Sequence, residues 1–108
     1  MTLKLLRADA SSLDQVADLF DAYRGFYGQP ANLPQSRAFL AERLARDESV
    51  IFYAQDESGQ ALGLVQLYPS FSSIDAHRTW LLSDLFTAPQ ARGRGVGTLL
   101  MNAAREFA

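Results

Sequence analysis

Residues 92 to 97 read Arg-Gly-Arg-Gly-Val-Gly, and no other stretch of the 108-residue chain restricts the backbone so tightly. Three glycines at alternate positions remove side chains where a ligand could approach the main chain closely. Immediately afterwards Val96, Leu99, Leu100, Ala103, Ala104 and Phe107 recur at helical spacing, which predicts an amphipathic helix. The first N–H groups of that helix have no partners within it, and its dipole adds partial positive charge at the same end. With Arg92 and Arg94 alongside, the junction is an anion site suited to a phosphate or pyrophosphate. On the other side Thr79–Thr87 is an apolar run too short for a helix, and Pro89 ends it. The unit is therefore strand, short turn, glycine loop, helix. A Walker A loop is excluded because no G-x-x-x-x-G-K-[ST] string occurs. A dinucleotide fingerprint is excluded because the spacing is G-x-G-x-G and six other elements come first.

The earlier residues supply those six elements. Leu3–Leu6 is a short strand. Ser12 and Gln15 have the spacing of a capping box, ahead of a helix carrying Leu13, Val16, Ala17, Phe20 and Tyr23 and ending near Gly25 or Gly28. Gly28–Pro34 reads as a loop, and a second helix presents Phe39, Leu40 and Leu44. Val50–Ala54 and Ala61–Tyr68 form a hairpin around the turn Asp56–Gly59, and the polar segment Pro69–Arg78 reads as a loop. The predicted order is strand, helix, helix, strand, strand, strand, helix, in one domain over residues 1–108.

Composition narrows the function classes. With no cysteine there is no disulfide and no thiol nucleophile, and with His77 the single histidine no metal site is expected. A net charge of −2 argues against a nucleic-acid partner, whose binding depends on many Lys and Arg. No apolar run reaches the ~18 residues of a membrane span and no signal-peptide pattern opens the chain, so no membrane partner and a cytoplasmic location are expected.

Arg92-x-x-Gly95-x-Gly97, following an apolar strand and a proline-containing turn, resembles the R/Q-x-x-G-x-G/A signature of GNAT-superfamily N-acetyltransferases. The specific part of the resemblance runs from Trp80 to Leu100. It implies an α/β (α+β) fold with a mixed, mostly antiparallel sheet flanked by helices. It implies acetyl-coenzyme A as co-substrate, its pyrophosphate on the backbone amides of Arg92, Gly93, Arg94, Gly95, Val96, Gly97 and Thr98, and its pantetheine arm along Leu85, Phe86 and Thr87. An amide near Leu85 or Phe86 would stabilise charge developing on the thioester oxygen. The reaction implied is direct attack by a primary amine of a small molecule, amino acid or protein tail. The family's usual general acid is a tyrosine on a later helix, and the chain stops before one. Tyr23, Tyr27, Tyr53 and Tyr68 all precede the loop and do not correspond to it. The C-terminal strands are expected to be missing, with the sheet completed by a longer chain, a homodimer or another protein.

Among the residues themselves, Asp84 is the candidate for receiving the amine proton or holding the amine. A carboxylate within an apolar strand is costly unless paired or functional, and alternation puts it on one face with Leu82 and Phe86. An amine of ordinary pKa near ~10.4 needs such a base at neutral pH. The structural alternative is an Asp that caps a loop or pairs an Arg. Tyr23, Phe26 and Tyr27 are candidate acceptor contacts, with core packing as the alternative. Trp80 and Tyr68 are expected in the core and His77 on a surface loop. The other function class left open is a non-catalytic coenzyme-A-binding or regulatory module. A single Arg-Gly-Arg-Gly run in an acidic chain is poor support for RNA binding, and without G-x-S-x-G a hydrolase triad is not supported.

Overall fold

The computed structural model describes residues 2–108. Helix α1 (Leu13–Phe26) buries Leu13, Val16, Ala17, Leu19 and Phe20, the stripe expected from the spacing. Its start differs from the expectation. A 3-10 turn over Ala10–Ser12 precedes it, and the capping box lies there: the Asp9 carboxylate accepts from the Ser11 N–H at 2.9 Å, and the Ser12 hydroxyl accepts from the Asp9 N–H at 3.0 Å. With Ser12 committed backwards, Gln15 is free to reach the hairpin turn, donating to the Gly59 carbonyl and accepting from Gln55 Nε2 at 3.1 Å. At the other end Gly28 (φ 89°) closes a Schellman motif, with the Gln29 N–H donating to Arg24 O and the Gly28 N–H to Gly25 O, both at 3.0 Å.

Helix α2 (Leu33–Ala45) begins earlier than expected, because proline in a first helical turn gives up an N–H that has no partner anyway. Asn32 caps it, accepting from the Gln35 N–H at 3.2 Å. Asp47, at φ 55°, ends it with the same six-residue closure, the Glu48 N–H donating to Arg43 O at 2.8 Å.

Strands β1 (Lys4–Arg7), β2 (Val50–Gln55), β3 (Ala61–Ser72) and β4 (His77–Thr87) form one sheet in the order β1-β2-β3-β4, each pair antiparallel. The β3–β4 ladder continues through most of the polar segment expected to be a loop, down to Ser72 opposite His77. Hydropathy does not show it because Pro69 and Phe71 are exposed while the half-buried positions between and after them are Ser70 and Ser72, so burial alternates without an apolar residue on the inner side. Pro69 is tolerated there because β2 pairs with β3 only as far as Leu67, leaving that edge of β3 without a ladder to break.

Helices α1 and α2 cover one face, packing Val16, Phe20 and Leu40 on Ile51, Tyr53, Leu64 and Phe86. Helix α3 (Val96–Phe107) covers the other, packing Val96, Leu100 and Ala104 on Val50, Ala54, Val65 and Leu67. Gly63 sets how closely α3 can approach. A Cβ there would meet Val96 Cγ1 at 2.7 Å, the Phe86 carbonyl oxygen at 2.8 Å and Leu100 Cδ1 at 3.1 Å. All three distances lie inside van der Waals contact, two of them under 3.0 Å, and one of the atoms is backbone. Gly63→Ala is therefore expected to destabilise the fold by about 1–3 kcal/mol as an overpacking change. In thermal denaturation this reads as a fall of roughly 4–8 °C per kcal/mol, and an unchanged midpoint would show that α3 can move away without loss.

Candidate active site

Strand β4 carries the site, and an irregularity in it decides which side chains are presented where. Gln66 pairs with Asp84 but the next residue, Leu67, pairs with Leu82, so Ser83 is an extra residue forming a β-bulge. The bulge overturns the simple alternation expected from the sequence. Asp84 shares a face with Phe86, beneath α1, whereas Leu82 lies on the α3 side with Trp80, Met101 and Arg105.

On the α1 side the Asp84 carboxylate ends a ladder of polar groups. Tyr23 Oη donates to Asp84 Oδ1 at 2.7 Å, and Gln66 Nε2 donates to Asp84 Oδ2 at 2.7 Å. Gln66 Oε1 in turn accepts from Ser49 Oγ at 2.6 Å. Gln66 is wholly buried and Ser49 nearly so, and each is hydrogen-bonded, as buried polar side chains must be. Asp84 opens onto a cavity of about 280 Å³ walled by Phe20, Tyr23, Phe39 and Tyr68, with Arg24 also lining it. Burial, and after it the hydrogen bond to Asp84, pushes the Tyr23 phenol well above its ordinary value. Burial and then the Asp84 charge push Tyr68 up to about 12, against smaller downward pulls from Arg43 and Gln66. Both phenols are firmly protonated at neutral pH.

At the end of β4 the chain turns through Pro89–Ala91 into the glycine loop. Gly93 (φ 83°) and Gly95 (φ 81°) take left-handed backbone conformations that residues with a Cβ rarely adopt. Gly95 is the N-cap of α3, no side chain caps that end, and the Leu99 N–H makes the helical bond back to Gly95 O at 3.0 Å. The amides of Val96, Gly97 and Thr98 thus begin the helix beside a groove of about 330 Å³, also bordered by Thr87, Arg92 and Gly93. The Arg92 guanidinium lies 5.2 Å from the Phe26 ring centroid, and its Nε donates to the Thr87 carbonyl at 3.4 Å.

Comparison with known proteins assigns this arrangement. A profile described as the Acetyltransferase (GNAT) family matches residues 15–108. The chain belongs to the GNAT acetyltransferase family. This GNAT chain is 42% identical over 106 residues to an uncharacterized N-acetyltransferase of Bacillus subtilis, covering 98% of itself and 70% of that protein. It is 36% identical to a probable acetyltransferase of Haemophilus influenzae, covering 97% of itself and 72% of that protein. A crystal structure of a probable acetyltransferase superposes with a TM-score of 0.91 at 43% identity, over 97% of this chain and 70% of that one. A predicted acetyltransferase from Clostridium acetobutylicum, whose crystal structure contains acetyl-CoA, shares the fold with a TM-score of 0.74 at 17% identity, over 97% of this chain and 75% of that one. The GNAT chain thus spans about seven tenths of these relatives. No helix among the described residues is long and apolar enough to cross a membrane.

The GNAT fold distributes the residues singled out in the sequence between two places. Thr87, Arg92, Gly93, Gly95, Val96, Gly97 and Thr98 border the groove. Leu85 and Phe86 lie on β4, one of the two edge strands among the described residues, Phe86 buried and Leu85 partly exposed. Tyr23 meets Asp84, but Phe26 and Tyr27 do not line that cavity. Both are exposed, Tyr27 edge-on to Tyr23, and Phe26 beside Phe86 and under Arg92. Tyr68, expected in the core, lines the cavity, as do Arg24 and Phe39, which the sequence reading did not single out. His77 is exposed, as expected of a surface residue, but it opens β4 rather than lying in a loop. Gln66 and Ser49 were also missed, although a lone amide inside the apolar run Gly63–Leu67 is a legible signal.

The raised phenol carries a pH consequence. Tyr68 binds its proton more tightly folded than unfolded, so its contribution to stability is complete below the ordinary value of 10.0 and is lost as pH rises toward about 12. Alkaline denaturation is expected to steepen in that window. In Asp84→Asn, removing the neighbouring charge should shift Tyr68 ionisation, followed by near-ultraviolet absorbance, to lower pH. An unshifted titration would show that Asp84 does not act on Tyr68.

Proposed function

We propose that this chain transfers the acetyl group of acetyl-coenzyme A to a primary amine bound at Asp84, with the pyrophosphate held by the glycine loop. The observation that carries this reading is that both features lie on one strand. Asp84 ends the polar ladder, and three residues further on Thr87 borders the anion groove, roughly 10 Å away along an extended backbone. The groove suits the co-substrate. Uncapped amides at the start of α3 and glycines with open space around them form an anion cradle with no side chain in the way.

Acetyl-coenzyme A supplies an activated acetyl thioester. Asp84 supplies a negative charge for the incoming ammonium and first takes one of its protons, freeing the nitrogen lone pair that attacks. The second proton the nitrogen loses passes to the departing thiolate or to solvent. Tyr23 and Gln66, each donating to one carboxylate oxygen, fix the direction in which Asp84 accepts that proton. The N–C bond forms as the C–S bond breaks, and the electron pair leaves with sulfur. Tyr68 stays protonated throughout the neutral range and keeps the cavity free of a second negative charge.

The test is thermal denaturation with and without acetyl-coenzyme A, combined with acetyl transfer to an amine panel. Ligand at 100 times its Kd adds about 2.7 kcal/mol, a rise of roughly 4–8 °C per kcal/mol. Gly97 has ordinary backbone geometry, and a Cβ there meets only Thr87 Oγ1, at 3.9 Å. An acid in the first turn of a helix is moreover favourable. Gly97→Asp should therefore fold normally and lose the acetyl-coenzyme-A shift. Asp84→Asn should keep the shift and lose about 10²–10⁴-fold in kcat. A full shift in Gly97→Asp would remove the loop from the site, and wild-type turnover in Asp84→Asn would leave that carboxylate structural.

A further inference from the structure

The cavity next to Asp84 contains a second charge that the transfer reaction does not use. Arg24, near the end of α1, lines the same space as Asp84, together with the rings of Phe20, Tyr23, Phe39 and Tyr68. Its guanidinium is oriented by two neutral groups, Nη1 donating to Ser36 Oγ at 3.1 Å and to Gln35 Oε1 at 3.3 Å. Among the described residues it makes no salt bridge. Asp21 reaches it only through Ser36, whose hydroxyl donates to Asp21 Oδ1 at 2.7 Å. Asp84 is likewise held by two neutral donors and, among the described residues, is paired with no cation. A carboxylate and a guanidinium therefore line one cavity without neutralising each other, between aromatic walls in which Phe20 and Phe39 stack at 5.8 Å.

We infer that the acceptor is a small zwitterion, an amine that also carries a carboxylate, with its ammonium at Asp84 and its carboxylate at Arg24. This rests on the acetyl-transfer reading above and deepens it by naming the substrate class. Three features favour it. Each charged group in a partly apolar space is best stabilised by an opposite charge, and an amino carboxylate brings one of each. A guanidinium with two of its N–H groups already fixed keeps the others for a carboxylate, the anion its planar fork matches best. At about 280 Å³ the cavity is at the small end of ligand pockets, suited to an amino acid with an apolar or aromatic body. A diamine or polyamine would instead bring a second ammonium up to Arg24.

The experiment uses the full chain with pairs of acceptors that differ only in a carboxylate, such as phenylalanine against phenethylamine and leucine against isopentylamine, with a diamine as the third class. Acetyl transfer from acetyl-coenzyme A and the thermal shift given by each acceptor alone are both measured. The amino carboxylates should exceed their decarboxylated partners at least about tenfold in kcat/KM, a difference of ~1.4 kcal/mol. Arg24→Gln should abolish the preference, raising KM for the amino carboxylates at least about tenfold more than for the plain amines. Arg24→Lys, which keeps the charge, should retain part of the preference and controls for folding. Equal turnover of both partners, faster turnover of the diamine, or a preference that survives in Arg24→Gln would overturn the inference while leaving acetyl transfer standing. Saturable, Arg24-dependent binding of amino carboxylates without any transfer would reject the transfer reading, and with it the acceptor role, and leave only a binding site for amino carboxylates. Neither transfer nor binding would reject both.

Discussion

The contact of α3 with the sheet at Gly63 fixes the geometry on which both halves of the site depend. Val96 and Leu100 press onto a position without a side chain, next to the main-chain oxygen of Phe86. That oxygen belongs to β4, and Val96 is the first residue of α3. One close approach therefore locks the end of the strand to the start of the helix, and the glycine loop between them has little room to choose its path. The path of the loop from Gly93 to Thr98 is a consequence of this packing, and the proposed anion cradle depends on it, because uncapped amides are useful only where the helix start is held still.

The bulge at Ser83 does the complementary work on the other side. Without it Asp84 and Leu82 would share a face, and one of them would have to lie on the wrong layer of the sandwich. With it, Leu82 joins the α3 side and Asp84 turns under α1, where Tyr23 and Gln66 meet it. The ladder Ser49–Gln66–Asp84–Tyr23 then ties the residue before β2, two strands and a helix together through hydrogen bonds rather than apolar contact. Such a ladder stabilises only if every member is satisfied, which restricts each of those positions to a small set of side chains.

What the sequence disclosed follows the range of the physics involved. Local signals carried well: the stripe of α3, the order of the elements and the glycine loop all follow from spacing within a dozen residues. The capping box lies one turn earlier than the Ser12–Gln15 spacing suggests, because the Ser12 hydroxyl is taken by the Asp9 N–H, and only the path of the chain before α1 decides between the two. The extension of the β3–β4 hairpin is illegible because its half-buried positions on β3 are serines and its exposed ones Pro69 and Phe71, which leaves no hydrophobic period pointing inward. The bulge was illegible for a different reason. Nothing in Leu82-Ser-Asp84 announces it, since it arises from matching two strands, and that is a non-local property. Asp84 stands out in the sequence as an anomaly, but its partner Gln66 meets it only through the β3–β4 ladder, and Tyr23, with Arg24 beside it, only when α1 docks on the sheet.

Phe86 shows how the two halves of the site are kept at a constant relation. Its ring is buried against the α1 side of the sheet, edge-on to Tyr23 at 5.8 Å and tilted against Phe26 at 6.2 Å. Tyr23 holds Asp84, and Phe26 lies under Arg92 at the glycine loop. A continuous run of rings thus links the carboxylate to the guanidinium at the groove, with Phe86 at its centre and the Phe86 carbonyl against Gly63. Rings pack with few alternative arrangements, so displacement at one end of the run is resisted along its length. Reaction between two bound molecules demands that the reacting atoms meet within a fraction of an ångström. On this scaffold that tolerance is set by one strand, one glycine and the aromatic side chains between the two sites.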